Sequence, residues 1–569
     1  MAQLLQMNRT RRSLLDACTF VMQHSSHGQS TATHNELADL ILTHMRNCPL
    51  TYIVLDGIDE AEDDAEIIRS LQCLASAQSC RLLLFSRPTI APLQRAGPRE
   101  MQFEISKASI EGDIKLYFRN ETDELVEDGL LPDDVDVVEL TNQLTTGADG
   151  MFLWARLMIS YLSSPVFEPF HRLQIIQSVT FPEGLDSMYN RIFSLILRRS
   201  DRERDLASRI LLWLTYSLTH LDTSQLREAV MPVQDSETRK QGNPQNHDAF
   251  EAMVIWACAG LVDRFREGTV NERPFRGFRL IHLSVKEYLS KDTVGNSWTQ
   301  RSYTPIRRII PVASIAHLEI ARTCLYYLTF YTPAQPFSRD AAKGTSPLVF
   351  HQGFPFASYA APFWVRHLQA SLDDPGKLTD EVESNLGATL TALTKSLQSF
   401  LEKPLIVLKW IEAHYLAVKL LLAENPSAEV LDLCPKTGAL SGWARWLACN
   451  YHSKRRRIST SNRPESESFG EIGELCNNLS EFEEDMQELQ LHWSANLLQT
   501  PEIIWDEVTA FTSSKFLFKA GNTKVTSLAA GNPQSSSSSK NPLCTISDAA
   551  TDGKLMAVLS IWPSTYLSS

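Results

Sequence analysis

The stretch Thr51-Tyr52-Ile53-Val54-Leu55-Asp56-Gly57-Ile58-Asp59-Glu60 constrains the fold more than any other, because a β-branched apolar run ends abruptly in acid. A short run of this kind, closed by a glycine, reads as a buried strand. Open α/β sheets bind their ligands at the carboxyl ends of their strands, which puts Asp56 at a ligand-facing edge. A strand-end carboxylate followed by further acids suits phosphate transfer, where one acid holds Mg²⁺ and others position water. The same residues also suit an ordinary strand running into an acidic helix start, where Asp and Glu are favoured by the dipole.

A second run, Arg81-Leu82-Leu83-Leu84-Phe85-Ser86-Arg87-Pro88, follows an amphipathic segment carrying Ile67, Ile68, Leu71, Leu74 and Ala75. Strand, helix and strand at this spacing predict two buried parallel strands joined by a right-handed crossover, with Asp56 and Arg87 on one edge. Pro88 ends the second strand and biases Arg87 towards extended backbone. A carboxylate for a metal and a guanidinium for a terminal phosphate make a sensible nucleotide pair. A surface ion pair between Arg87 and the nearby acids is the alternative. Met101 to Ile105 is expected to add a third strand. Upstream, Ser13 to Met22 and His34 to Met45 have helical spacing, separated by a turn over 24–30.

Size and composition bound the rest. A chain of 569 residues with 43% hydrophobic and 21% charged content should fold into several domains. A formal net charge of −13 argues against a general nucleic-acid or anionic-membrane binder, since phosphate neutralisation needs a basic surface. Ten cysteines without a CxxC pair read as buried thiols. With no signal-peptide core at the start and no uninterrupted run of about 18 apolar residues, a cytoplasmic protein without a membrane span is expected.

Beyond residue 105 the pattern turns helical: Ile110 to Phe118, Val135 to Leu144, Gly150 to Leu162, Met188 to Arg198 and Asp205 to Leu218. Thr223 or Ser224 can cap a short helix, and Cys258 to Arg264 with Phe278 to Leu283 read as strands of a polar hairpin. Together these fit a winged-helix unit. His317 to Leu328, Phe354 to Leu368, Thr389 to Leu422, Trp443 to Leu447 and Phe482 to Leu498 continue the helices. Lys454 to Arg457 reads as a solvated charge run or an import signal, Ser535 to Ser539 as a flexible run, and Asp552 to Pro563 as one hairpin's worth of strand.

Four segments now occur in order: Tyr52 to Glu60, Leu82 to Pro88, Gly150 to Met158, and Arg279-Leu280-Ile281-His282-Leu283-Ser284-Val285-Lys286-Glu287-Tyr288-Leu289. Together they closely resemble the fungal NACHT proteins, signal-transducing P-loop NTPases related to NOD-like receptors. The resemblance implies an α/β fold, a partial P-loop NTPase sheet, followed by mainly α structure with winged-helix and helical domains. The corresponding division is a partial nucleotide-binding domain over 1–108, a helical domain over 109–200, a winged-helix-like domain over 201–295 and a helical domain over 296–452. A polar linker over 453–470, a helical connector over 471–520 and a tail over 521–569 complete it.

The resemblance also implies roles. Asp56 matches the Walker B acid on Mg²⁺, and Asp59 and Glu60 match the acids that position or activate water. Arg87 matches the sensor arginine near the terminal phosphate. His282 matches the winged-helix histidine that contacts a bound ADP phosphate; a capping histidine on a strand-to-helix turn is the structural alternative. Phe152 stands where many relatives carry a proline that touches adenine, so no adenine contact is assigned there.

One part of the pattern is missing. No Gly-x-x-x-x-Gly-Lys-Ser/Thr occurs in the chain, so the backbone cradle, the phosphate-bridging lysine and the metal-binding hydroxyl have no counterpart. A shortened chain and a true pseudo-NTPase both account for this. The cofactors implied for the family are Mg²⁺ and ATP/ADP or GTP, with none or weakened binding in this chain. The expected function is a nucleotide-dependent switch and oligomerisation module, inactive as a hydrolase on its own, with protein partners or self-association. A non-enzymatic helical scaffold is the alternative.

Overall fold

In a computed structural model of the chain, the apolar run forms β1 (Thr51–Leu55) and Cys80–Leu84 forms β2, paired in parallel with Thr51 opposite Cys80 and Leu55 opposite Leu84. The residues described are 12, 16, 18, 19, 34–46, 50–60, 67–69, 71, 72, 80–87, 103–179, 182, 184–230, 247–270, 273–291, 310–332, 336, 337, 346–372, 380–424, 430–436, 438–446, 466–505, 508, 509, 544–549 and 556–561. The turn over 24–30, the basic run Lys454 to Arg457 and the serine run Ser535 to Ser539 lie outside them.

The parallel pair is as expected, but its burial is not. Helix α1 (His34–Arg46) and the segment around Leu71 cover one face, where Ile41, Leu42 and Met45 pack with Ile53, Leu55, Leu82 and Leu84. Tyr52 and Val54 on the other face are 70% and 59% exposed. A strand buried on both faces needs two covering layers, and the described residues supply one. Of the expected third strand, Met101 to Ile105, the described residues 103–105 carry no strand, and Phe103 and Ile105 are exposed.

From α2 (Lys107–Glu127) onward the described chain is mainly helical. α3 (Val137–Ala148), α4 (Phe152–Leu162) and α5 (Pro169–Gln177) follow. Trp154, Leu157, Met158 and Leu162 bury most of α4, while Phe152 and Arg156 at its start face outward. Gly147 permits the approach, since a Cβ there would meet Val179 Cγ1 at 2.4 Å and the Trp154 ring at 2.9 Å. Arg172 is buried and pairs with no acid among the described residues. Its guanidinium donates to the carbonyls of Leu162 (2.6 Å), Ser164 (2.9 Å) and Leu130 (3.2 Å), tying α5 to the end of α4.

Next come α6 (Leu185–Leu197), α7 (Asp201–Tyr216), α8 (Thr223–Val230) and α9 (His247–Ala257). The antiparallel pair β3 (Val262–Val270) and β4 (Arg273–Leu280) leads into α10 (Leu283–Ser290). The strands lie within the region where a hairpin is expected, offset from the expected bounds. The cap of α8 differs: Asp222, not Thr223 or Ser224, accepts the N–H groups of Ser224 (2.7 Å) and Gln225 (2.8 Å). Thr223 instead turns its hydroxyl to the Arg276 carbonyl at 3.1 Å.

The remaining helices are α11 (Ala313–Phe330), α12 (Pro347–Gly353), α13 (Ala357–Ala370), α14 (Asp380–Leu401), α15 (Pro404–Glu424) and α16 (Ser466–Gln499). The expected helix over Thr389 to Leu422 is two helices, because Pro404 has no N–H to continue the first and sits at the start of the second. One ring each from four helices meets in the middle: Trp364, Phe400, Trp410 and Phe482, with centroids 5.6 to 6.2 Å apart. A single hydrophobic core runs from Ile114 to Val508, whereas β1 and β2 pack into smaller clusters of their own. Cys544–Ala549 and Met556–Ile561 form a third, antiparallel pair. Among the described residues no helix is long and apolar enough to cross a membrane.

Candidate functional site

The carboxyl ends of β1 and β2 carry the candidate residues. After Leu55 and Asp56 the chain must reverse, and Gly57 does this at φ 72°, where a side chain is strained. A single 3-10 turn, Ile58–Glu60, follows. Ile58 donates its N–H to the Phe85 carbonyl (3.3 Å) and Phe85 donates to Leu55 (2.8 Å), so the two strand ends are stitched together. Ile58 is buried against Ile68 below them.

This places Asp59 against Arg87. One carboxylate oxygen accepts the Arg87 backbone N–H at 3.0 Å, and the other lies 3.3 Å from Arg87 Nε. The Asp59 side chain is 11% exposed. Arg87 then reaches across to α10, where Nη1 lies 3.3 Å from Glu287 Oε1. Asp56 stands exposed at the same edge, without a hydrogen-bond or ion-pair partner among the described residues. Glu60 closes the turn, and only its backbone is described.

His282 is the N-cap of α10. Its Nδ1 accepts the Ser284 N–H at 3.1 Å and lies 2.7 Å from Ser284 Oγ, which in turn lies 2.7 Å from Tyr189 Oη. A chain running from Tyr189 O–H through Ser284 O–H to Nδ1 assigns the ring proton to Nε2. That nitrogen has no partner among the described residues and the side chain is exposed. Burial pushes the Tyr189 hydroxyl up from its ordinary value, which keeps it a donor.

Helix α10 is held firmly from behind by α6. Tyr288 donates to Asn190, its ring stacks on Phe193 at 5.4 Å, and Lys291 pairs with Asp186 at 2.8 Å. Burial, with the Asp186 carboxylate adding, pushes Tyr288 up to about 12. The strand edge therefore faces a rigidly mounted helix start.

The structure brings Asp59 and Arg87 into contact and joins them to the helix that His282 caps. It does not bring His282 onto Arg87. Both bonding patterns weighed as alternatives are present, an ion pair at Arg87 and a cap at His282. Glu287 is the member that sequence reasoning did not single out. It lies inside the Arg279 to Leu289 segment, but a surface glutamate on a short helix carries no local signal; only the tertiary approach selects it.

For a divalent cation the donors are few. Among the described residues no three His, Cys, Asp or Glu side chains converge, and both oxygens of Asp59 are engaged by Arg87. Among the described side chains that follow β1, Asp56 offers an unengaged carboxylate. That fits Mg²⁺, which is commonly held by one or two carboxylates with water and ligand phosphates completing the shell, and does not fit an all-protein cage.

Known proteins resemble the chain at this end and beyond it. The family described as "Nephrocystin 3, N-terminal" matches residues 1–87, which include both strands and Arg87. These likenesses support a resemblance to the NACHT-related proteins. Among particular relatives, the vegetative incompatibility protein HET-E-1 of Podospora anserina is 27% identical over 339 residues, 56% of this chain. The match spans 23% of that relative's length. No solved structure matches the chain.

Proposed function

We propose that this chain is the switch portion of a NACHT-type signalling protein, whose strand edge receives a nucleoside polyphosphate and whose α10 reports on it. The observation that carries this reading is the chain Asp59, Arg87, Glu287, which connects the strand ends directly to the helix capped by His282. In this reading α8, α9, the β3–β4 hairpin and α10 are a winged-helix unit. The helices from α11 onward form the body it moves against. Asp56 would hold Mg²⁺, which when bound neutralises charge on the phosphates. Arg87 would take a terminal phosphate through its guanidinium, and His282 would donate Nε2–H to another. Asp59 would orient water only after releasing Arg87, and Glu60 is assigned the same task from its place in the turn. Signalling would follow from a shift between two domain arrangements, with protein partners or a second copy binding one of them.

The sequence holds no Gly-rich phosphate loop, so affinity rests on these side chains and is expected to be modest. Titration of the 569-residue chain with a fluorescent ATP analogue, with and without Mg²⁺, tests the reading. Saturable binding that weakens severalfold in Asp56→Ala and on removal of Mg²⁺ is expected. The absence of saturable binding would overturn it in favour of a second reading, a non-enzymatic helical scaffold. The scaffold is favoured by the continuous core from Ile114 to Val508, which needs no ligand to complete it.

A further inference from the structure

One face of α8 makes polar contacts. Asp222 at its N-cap, Gln225 and Glu228 recur at three-residue steps and so line up along the helix, and each reaches a different helix of the body. Asp222 Oδ2 lies 2.9 Å from His351 Nε2 on α12. The Gln225 amide donates to Ser358 Oγ on α13 at 2.9 Å, while Glu228 accepts the Tyr327 hydroxyl of α11 and the Phe356 N–H at 3.3 Å.

The hydrogens around His351 can be placed one by one. The Asp222 N–H donates to Gln225 Oε1 at 2.9 Å, which fixes the amide and makes its Nε2 the donor towards Ser358. Ser358 Oγ lies 2.6 Å from the Pro355 carbonyl, a contact that two oxygens make only with a proton between them. Its single hydrogen is committed there. The hydroxyl can then only accept from His351 Nδ1, at 2.9 Å, and the Asp222 carboxylate can only accept from Nε2. Both ring nitrogens therefore carry protons, and His351 is an imidazolium. Its place in the last turn of α12 favours positive charge as well. The His351 side chain is 23% exposed, that of Asp222 is 17% exposed and Ser358 is buried, so water replaces these partners poorly.

The other charged groups on the neighbouring elements are engaged elsewhere. On α15, Lys409 donates to the Thr332 carbonyl, Glu412 accepts from the Phe337 N–H and Trp505 Nε1, His414 meets the Leu431 carbonyl and Lys419 donates to the Gln499 carbonyl. On α13, His367 lies between Tyr359 and His317, and Arg366 acts on His414. Arg227 falls off the polar face of α8 by its helical position.

We propose that His351 is a proton-held latch, whose imidazolium ties α12 and α13 to the start of α8 and whose deprotonation releases that tie. Loss of the Nε2 proton sets a lone pair against Asp222. Loss of the Nδ1 proton makes Ser358 turn its hydroxyl away from Pro355, stranding that carbonyl at the start of α13. A free histidine gives up its proton near about 6.5, and the folded chain holds this one to higher pH. The tie is thus complete below about pH 6.5 and is lost as pH rises through the folded value. It needs no nucleotide, so it stands whatever the strand edge binds.

Selective ¹⁵N-histidine labelling of the full chain tests the proton. Among its 14 histidines, His351 is the signal missing from His351→Gln or, should that variant not fold, from His351→Lys. Both of its nitrogens should read as protonated at pH 7, with a midpoint above about 6.5 that falls in Asp222→Asn. A midpoint at or below about 6.5, or one indifferent to Asp222→Asn, would overturn the imidazolium. Amide exchange, corrected for intrinsic rate, tests the release. From about pH 6 to about one unit above the measured midpoint, Thr223–Val230 and Pro347–Gly353 should open about tenfold more readily in wild type, as loss of one charged hydrogen bond implies. His351→Gln and His351→Lys should show no such step. Exchange that ignores pH in wild type, or steps equally in the variants, would overturn the latch.

Discussion

His414 sits wholly inside the helical body, where Nε2–H donates to the Leu431 carbonyl at 3.0 Å and the opposite nitrogen, Nδ1, is buried. Burial lowers its pKa to about 4, Arg366 adds to this, and the Leu431 carbonyl opposes it. Unfolded histidine takes up a proton below about 6.5, so between those limits the unfolded chain binds more protons than the folded one. The associated stability is complete above about pH 6.5 and is lost as pH falls towards 4, by about 3 kcal/mol in all. His367, buried beside His317 and lowered well below its ordinary value, acts in the same direction. Urea unfolding at pH 7 and pH 4.5 should show a smaller acid loss in His414→Gln than in wild type. Equal losses in the two would remove His414 from the account.

Among the elements, α8 has the least obvious start. Asp222 caps it with one oxygen, while its other oxygen lies 2.9 Å from His351 Nε2 on α12, so a single carboxylate both begins a helix and ties it to the body. Thr223 and Ser224 have the right chemistry for the cap, but the Thr223 hydroxyl is drawn to β4 and the turn geometry favours the residue before it. Asp222→Ala should cost about 1–2 kcal/mol, an N-cap being worth up to that much, with Asp222→Asn retaining most of the cap. Denaturant midpoints of the two variants decide it; an alanine variant as stable as wild type would show that the cap contributes nothing measurable.

At the scale of the molecule, the separation of cores matters most. One core binds residues 114–508, while β1 and β2 rest on a few partly buried side chains with one sheet face open. A two-stranded sheet is marginal by itself. Native-state exchange should therefore find the amides of Thr51–Leu55 and Cys80–Leu84 opening on the order of tenfold or more faster than those central in α11 and α15, because local opening follows buried contact. Equal protection in both would mean that the strands share the main core's stability. The candidate site thus lies on the more sparsely packed unit, and one tie from it to the rest of the fold runs through Arg87 and Glu287.

What the sequence alone determined is local in origin. Short uninterrupted apolar runs drew β1 and β2, helical spacing drew α1 and most helices from α2 to α16, and the acids after Leu55 with Arg87 after Leu84 marked the ligand edge. The parallel pairing was legible too, because a strand, helix and strand of those lengths has few ways to close. Burial of the strands was not legible: an apolar run looks the same whether one or two layers cover it, and only the packing of α1 left Tyr52 and Val54 outside. Nor was the cap at Asp222, where three neighbouring residues were chemically equivalent. Glu287 could be found only in three dimensions. Its meeting with Arg87 joins residues two hundred positions apart along the chain, and no local pattern records which surface carboxylate a fold will carry to which guanidinium.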